Sequence, residues 1–229
     1  MNRRIAVMGT GDDLTDQTDV PDPIAKVSHV GFEPVLESIP GAVFPDSPAN
    51  RQIAIEAYVE AGKRLAQKDF AALYINTMGD YGLHILRDQL DIPVAGSGES
   101  AIRAAMSLGQ TFSIVTIWPP KMQFIYDHIL KDSGAEDQCR SVYFLSEDYE
   151  FGSMGQGDDF YTNMRACSIS SLEQVRKAIT QACEKDGAGA VILGCTCMSH
   201  LGPILKDEGF PVIEPMINGY RYTELLSSI

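Results

Sequence analysis

AALYINTMGDYGLHILRDQLDIPVA, residues 71–95, and GAVILGCTCMSHLGPILKDEGFPVI, residues 189–213, lie over one another without a gap, residue 71 on 189 and residue 95 on 213. Only Ala72/Ala190, Leu83/Leu201, Pro93/Pro211 and Val94/Val212 are identical, but the pattern agrees throughout. Each stretch runs from an apolar strand through a small polar turn into a short helix and ends in an X-Pro-Val strand, so the chain carries one α/β unit twice. The overlay sets Thr77 on Cys195. Both follow the carboxyl end of a strand and precede a helix, which is where open α/β sheets bind ligands. Halves facing each other about a pseudo-twofold axis would present Thr77 and Cys195 to one substrate from opposite sides, an arrangement suited to chemistry on both faces of a carbon.

Outward from this repeat, β-branched runs predict strands over 4–8, 70–76, 92–95, 111–117, 141–145, 189–194 and 211–213. Helices are predicted around 49–67, 81–90, 98–108, 119–132, 171–186, 200–207 and 215–227. The alternation is that of an α/β fold with mainly parallel sheets. Residues 12–48 carry six prolines and scattered acids and predict one further strand among long loops.

Composition narrows the function. The chain has 229 residues and 45% apolar content, enough to fill a sizeable core and too much for a disordered segment. With 18 basic against 31 acidic residues the formal charge is −13, and no basic run extends beyond Arg3-Arg4, so neither nucleic acid nor an anionic membrane is an expected partner. No apolar run approaches the ~20 residues of a membrane span, and no signal-peptide core follows Met1-Asn2-Arg3-Arg4, which predicts a cytoplasmic protein. Five cysteines, an odd count, predict free thiols rather than a disulfide framework.

Gly96-Ser97-Gly98-Glu99-Ser100-Ala101 fits a dinucleotide fingerprint, but the next strand ends in Val115-Thr116-Ile117-Trp118 without the acidic residue a ribose needs. It is read instead as a tight turn whose free N–H groups, with Ser97 and Ser100, cap a helix or hold an anion; Gly9-Thr10-Gly11 is a shorter version. Cys195-Thr196-Cys197 lacks the second ligand pair of a metal site, and no metal is expected. A cysteine at a strand-to-helix turn is by contrast activated by helix N–H dipoles, which singles out Cys195 over Cys139, Cys167, Cys183 and Cys197. His84 and His200 follow Thr77 and Cys195 within two helical turns and, like His29 and His128, are read as ordinary surface or core groups. The acidic, glycine-rich and aromatic stretch 146–165 lacks calcium-loop spacing and is read as a flap over the site or an oligomer contact.

As a set, Ile75-Asn76-Thr77-Met78-Gly79-Asp80-Tyr81-Gly82-Leu83, Asp91-Ile92-Pro93-Val94, the Gly96–Ala101 turn, Gly194-Cys195-Thr196-Cys197-Met198 and Pro211-Val212-Ile213-Glu214-Pro215 resemble the aspartate/glutamate/hydantoin racemase family from about residue 70 onward. The resemblance implies two pseudo-symmetric lobes, residues 1–97 with 214–229 and residues 98–213, each a mainly parallel sheet flanked by helices, with the active site in the cleft between them. It also implies no cofactor and a homo-oligomer. Two-base members carry a cysteine in each half, whereas this chain has Thr77 in place of the first, and a threonine hydroxyl is a far weaker base than a thiol. Some amino-acid racemases of the family resemble this chain in pairing Thr with Cys, and arylmalonate decarboxylases keep only the second cysteine. Val7-Met8-Gly9-Thr10-Gly11 also departs from the Asn-Pro-Asn-Thr segment of hydantoin racemases.

The expected activity is a cofactor-independent racemase or epimerase at a carbon next to a carboxylate or hydantoin carbonyl, with Cys195 and Thr77 as catalytic residues. Thr10, Asn76, Met78, Gly79, Ser97, Thr116, Thr196 and Cys197 are the expected substrate contacts. The alternatives are a decarboxylase or isomerase of a small dicarboxylate working with one cysteine, and a small-molecule-binding protein without turnover. The substrate is expected to be a small anion or hydantoin-like molecule. Arg87, Arg103 and Lys121 lie on helices beyond the turns, so the acidic chain is expected to hold its ligand with backbone N–H groups and hydroxyls.

Overall fold

The computed structural model describes residues 2–9, 19–108, 111–147 and 169–229. The chain divides into two compact units, Met1–Ser100 with Met216–Ile229 and Ala101–Pro215.

In the first unit, β1 (Arg3–Met8), β2 (Phe32–Glu37), β3 (Ala72–Ile75) and β4 (Val94–Gly96) form a parallel sheet in the order β2-β1-β3-β4. The period-2 alternation of a strand sends its side chains to opposite faces, and both faces are covered. Ala6, Met8, Leu73 and Ile75 pack with α2 (Pro48–Leu65) and α3 (Leu83–Gln89) through Tyr58, Leu65, Leu83 and Leu86. Ile5, Val7 and Tyr74 pack on the other face against Ile24 of α1 (Asp22–Val27) and Met216 and Tyr220 of the C-terminal helix. Ser47 starts α2 by accepting the N–H of Asn50, with Pro48 at the first helical position where no N–H is missed. Pro34 lies in β2, an edge strand, where its missing N–H costs the sheet no ladder bond on the outer side.

The second unit repeats the plan. β5 (Phe112–Thr116), β6 (Cys139–Phe144), β7 (Ala190–Leu193) and β8 (Val212–Ile213) form a parallel sheet in the order β6-β5-β7-β8. Helix α4 (Ser97–Ser107) follows β4, α5 (Gln123–Ser133) follows β5, and α6 (Ile169–Glu184), α7 (Leu201–Asp207) and α8 (Pro215–Leu226) complete the order. Val191 and Leu193 share a core with Val175, Ile179 and Ala182 of α6 and Leu201 and Leu205 of α7.

The internal repeat is carried by the backbone as well as the letters. β3 and β7, then α3 and α7, start and stop at residues 118 positions apart, and Leu73 pairs with Val94 as Val191 pairs with Val212. Three differences from the sequence reading have local causes. Within 12–48 the expected strand is β2, but a short helix, α1, also forms where only loops were expected, because Pro23 sits in its first turn. The helix expected from 81 begins at Leu83, after Gly82 at φ +79°. The helix expected over 119–132 is a 3-10 turn (Pro120–Met122) leading into α5.

Candidate active site

At the carboxyl end of β3 the chain turns through Asn76, Thr77, Met78 and Gly79. Asn76 is 9% exposed and its Oδ1 accepts a hydrogen bond from the Tyr74 hydroxyl, while Met78 is buried. Gly79 has no room for a side chain, because a Cβ there would run into the ring and hydroxyl of Tyr81. Thr77 Oγ1 is buried without a hydrogen-bond partner, a costly state for a hydroxyl. Ser100 Oγ, on the first turn of α4, is buried in the same condition. Thr10 lies outside the described residues.

Asp80, next in the chain, was not singled out from the sequence and organises this end of the unit. It adopts the left-handed backbone region at φ +45°, which aspartate tolerates better than most residues. Its Oδ1 accepts the N–H of Gly98 at 2.9 Å and its Oδ2 accepts the N–H of Glu99. The free N–H groups expected at this turn are therefore already taken by the protein's own carboxylate. The glycines of the turn are explained by the same contact: a Cβ on Gly96 would overlap the Asp80 carboxyl, and one on Gly98 would strike the Met78 carbonyl oxygen. Burial raises the Asp80 carboxyl to about 7 against the lowering effect of the two N–H bonds, with Glu99 raising it further and Arg87 opposing. Arg87 bonds the Glu99 carboxylate at 2.6 Å and donates from Nε to the Val94 carbonyl, so it is committed to the fold.

Ser97, expected as a hydroxyl donor to substrate, is fully buried. Its Oγ donates to the Ile75 carbonyl and lies 2.7 Å from the Tyr74 hydroxyl, which also reaches the Met216 carbonyl. Thr116 is corrected in the same way: it has no exposure, and its Oγ1 accepts from the Tyr126 hydroxyl and the Trp118 N–H. The Tyr126 hydroxyl also lies 2.8 Å from the Gly194 carbonyl, so Thr116 and Tyr126 brace the residue before Cys195. Gly194 itself is packed against Thr116, where a Cβ would come within 2.6 Å.

Cys195 follows β7 and is the N-cap of a 3-10 turn, Thr196–Met198; the Cys197 N–H points at its sulfur at 3.2 Å. It is 8% exposed, and Cys197 is half-buried. The expectation of free thiols fails here: Cys195 and Cys197 are joined by a disulfide, with their Cα atoms 5.2 Å apart. The C-x-C spacing suggests only a metal ligand set; in the structure Cys195 is the extended N-cap and Cys197 the middle residue of the 3-10 turn, and their Cα separation lies in the range a disulfide spans. Cys139 and Cys183 are free, and burial raises both thiols, Cys139 to about 11. Cys167 and residues 148–165 of the acidic stretch lie outside the described residues. His84 is exposed, and His200 Nδ1 lies 3.0 Å from the Cys197 carbonyl. Among the described residues, no cluster of His, Cys, Asp and Glu is suited to a metal ion, and no helix is long and apolar enough to cross a membrane.

The family model for Asp/Glu/Hydantoin racemase matches residues 31–222. A hydantoin racemase of Paenarthrobacter aurescens is 30% identical over 69% of this chain and 62% of its own length. One of Rhizobium meliloti is 32% identical over 68% of this chain and 59% of its own. These matches thus span less than two thirds of those relatives. Among solved structures, an allantoin racemase of Pseudomonas fluorescens superposes with a TM-score of 0.76 at 22% identity, covering 98% of this chain and 91% of the other. An unliganded arylmalonate decarboxylase superposes with a TM-score of 0.66 at 13% identity, covering 99% and 93%. These two share the fold.

Proposed function

Because the chain belongs to the Asp/Glu/hydantoin racemase family, we propose that it is a racemase of hydantoin-type substrates that moves protons with its own side chains. The hydantoin racemases similar to it support the substrate class: a five-membered ring whose stereocentre lies next to a carbonyl. Cys195, once reduced, takes the proton from that carbon, and the resulting enolate keeps the negative charge on the carbonyl oxygen. Racemisation needs a second proton carrier, and Thr77 fills that role, directly or through a water molecule. The observation that carries this proposal is the buried, unpartnered hydroxyl of Thr77 at the strand end that corresponds to the strand end bearing Cys195. Asn76, Met78, Gly79, Thr196 and Thr10 are the proposed ligand contacts, with Ser97 and Thr116 supporting them from behind.

The test is turnover of one enantiomer of 5-benzylhydantoin by the reduced protein in D2O. Deuterium should enter at the stereocentre as optical rotation is lost. Loss of rotation faster than the uncatalysed rate, without solvent deuterium, would remove the proton-transfer mechanism. A second reading rests on Thr77 being a weak base: with only one effective thiol, the site would suit protonation of a carbanion left by decarboxylation. Release of CO2 from an arylmalonate, with no action on the hydantoin, would decide for it.

A further inference from the structure

The disulfide joins the proposed proton-carrying sulfur to a neighbour two residues away, inside a short 3-10 turn. We propose that Cys195 and Cys197 form a reversible thiol–disulfide switch, in which Cys197 resolves oxidised Cys195 and the closed disulfide turns the active site off. This rests on the assignment of Cys195 as the proton carrier.

Three observations support it. The Cα separation of 5.2 Å falls within the span a disulfide bridges, about 4.4 to 6.8 Å. The Cys197 N–H directed at Cys195 Sγ favours the thiolate, the form that both accepts a substrate proton and reacts with oxidants. Only Thr196 separates the two cysteines, so the resolving sulfur is a near neighbour in the chain. Cys139 and Cys183 lack this arrangement, and burial raises both thiols.

The oxidant is a hydroperoxide. The Cys195 thiolate attacks a peroxide oxygen, the O–O bond breaks, and Cys195 becomes a sulfenic acid as hydroxide leaves and takes up a proton. Cys197 sulfur then attacks the Cys195 sulfur, the S–O bond breaks, the hydroxyl leaves as water with the Cys197 proton, and the S–S bond forms. Two thiols have given two electrons to hydrogen peroxide, which yields two waters. A dithiol reverses the change by exchange through a mixed disulfide. While the bond is closed, Cys195 has no lone thiolate to accept a proton. The arrangement also protects the enzyme, because the disulfide intercepts the sulfenic acid before oxidation becomes irreversible.

Trypsin releases both residues on one peptide, Asp186–Lys206, which contains no other cysteine. The reduced protein is treated with hydrogen peroxide, quenched with iodoacetamide and digested, and racemisation of 5-benzylhydantoin is followed in parallel. The expected peptide is lighter than the dithiol by two hydrogens and carries no alkyl group, while activity falls at least tenfold; dithiothreitol restores both. In Cys197→Ser, compared with its own reduced activity, the same treatment should give Cys195 sulfinic or sulfonic acid and a loss that dithiothreitol does not restore. Two alkylated cysteines after peroxide overturn the proposal, as does a closed disulfide in an enzyme that keeps full activity. A fully reduced protein with no racemase activity overturns the functional assignment instead, and the switch is then judged by peptide mass and alkylation alone.

Discussion

The turn after β3 and the turn after β7 join equivalent strands and helices and are held by opposite chemistry. Asp80, Arg87 and Glu99 fix the first through a buried carboxylate on two N–H groups and a guanidinium on a second carboxylate. The positions 118 residues later are Met198, Leu205 and Ile217, and Met198 and Leu205 are wholly buried in an apolar cluster. Gly79 of the first turn corresponds to Cys197 of the second, and Thr77 to Cys195. A hydrophobic contact and a charge network can therefore each hold a turn at the same place in the repeat, the first through left-handed Asp80 and Gly82 and the second through a 3-10 turn. What differs is the response: the first turn is sensitive to protons and the second to oxidants.

The largest test of that asymmetry is catalytic. With the reduced enzyme, Cys195→Ala should lower kcat for 5-benzylhydantoin by about a thousandfold, and Thr77→Ala by about tenfold to a hundredfold, since a hydroxyl is the weaker proton carrier. Equal losses from the two would mean that the two positions share the work evenly. Next in size is a structural exchange. Arg87→Leu removes the guanidinium that holds the buried Glu99 and should cost about 3 kcal/mol in urea unfolding. Adding Glu99→Ile, which copies the residues of the second repeat, should recover much of it. A double-mutant cycle without coupling would show that the charge network is not what holds the first turn.

The smallest effect is on pH. Burial lifts the Asp80 carboxyl to about 7, so the native state binds that proton more tightly than the unfolded chain does. Its contribution to stability is complete below about pH 4 and is lost as pH rises through about 7. Between about pH 5 and about pH 8 the wild type should therefore lose more melting temperature than Asp80→Asn. Parallel slopes would place the titration elsewhere.

The gapless overlay of two poorly identical segments located β3, α3 and β4 against β7, α7 and β8, because strand and helix periods survive when letters do not. The same overlay puts Thr77 and Cys195 just past equivalent strand ends, where the structure has them. Asp80 was not, since its importance comes from the distant Gly98 and Glu99 N–H groups it meets, and no local pattern encodes that meeting. The glycines at 96 and 98 were its trace: they look like a nucleotide fingerprint and in fact make room for a side chain. The Cys195–Cys197 bond was hidden because residue spacing does not say which way two thiols point, and α1 because prolines usually mark loops.

Helix α8 has a consequence for the order in which the molecule is made. Its Met216 and Tyr220 complete the apolar layer over Ile5, Val7 and Tyr74, and its Tyr220 and Glu224 tie down Ser28 and His29. The unit formed by Ala101–Pro215 is one unbroken run and has all its parts when Pro215 leaves the ribosome. Strands β1 and β3 must wait, one face uncovered, for a helix that the ribosome reaches only after the whole second unit. Ile5, Val7 and Tyr74 thus reach their finished surroundings only once α8 has followed the second unit, and this sheet face, uncovered until then, is the surface a chaperone would meet.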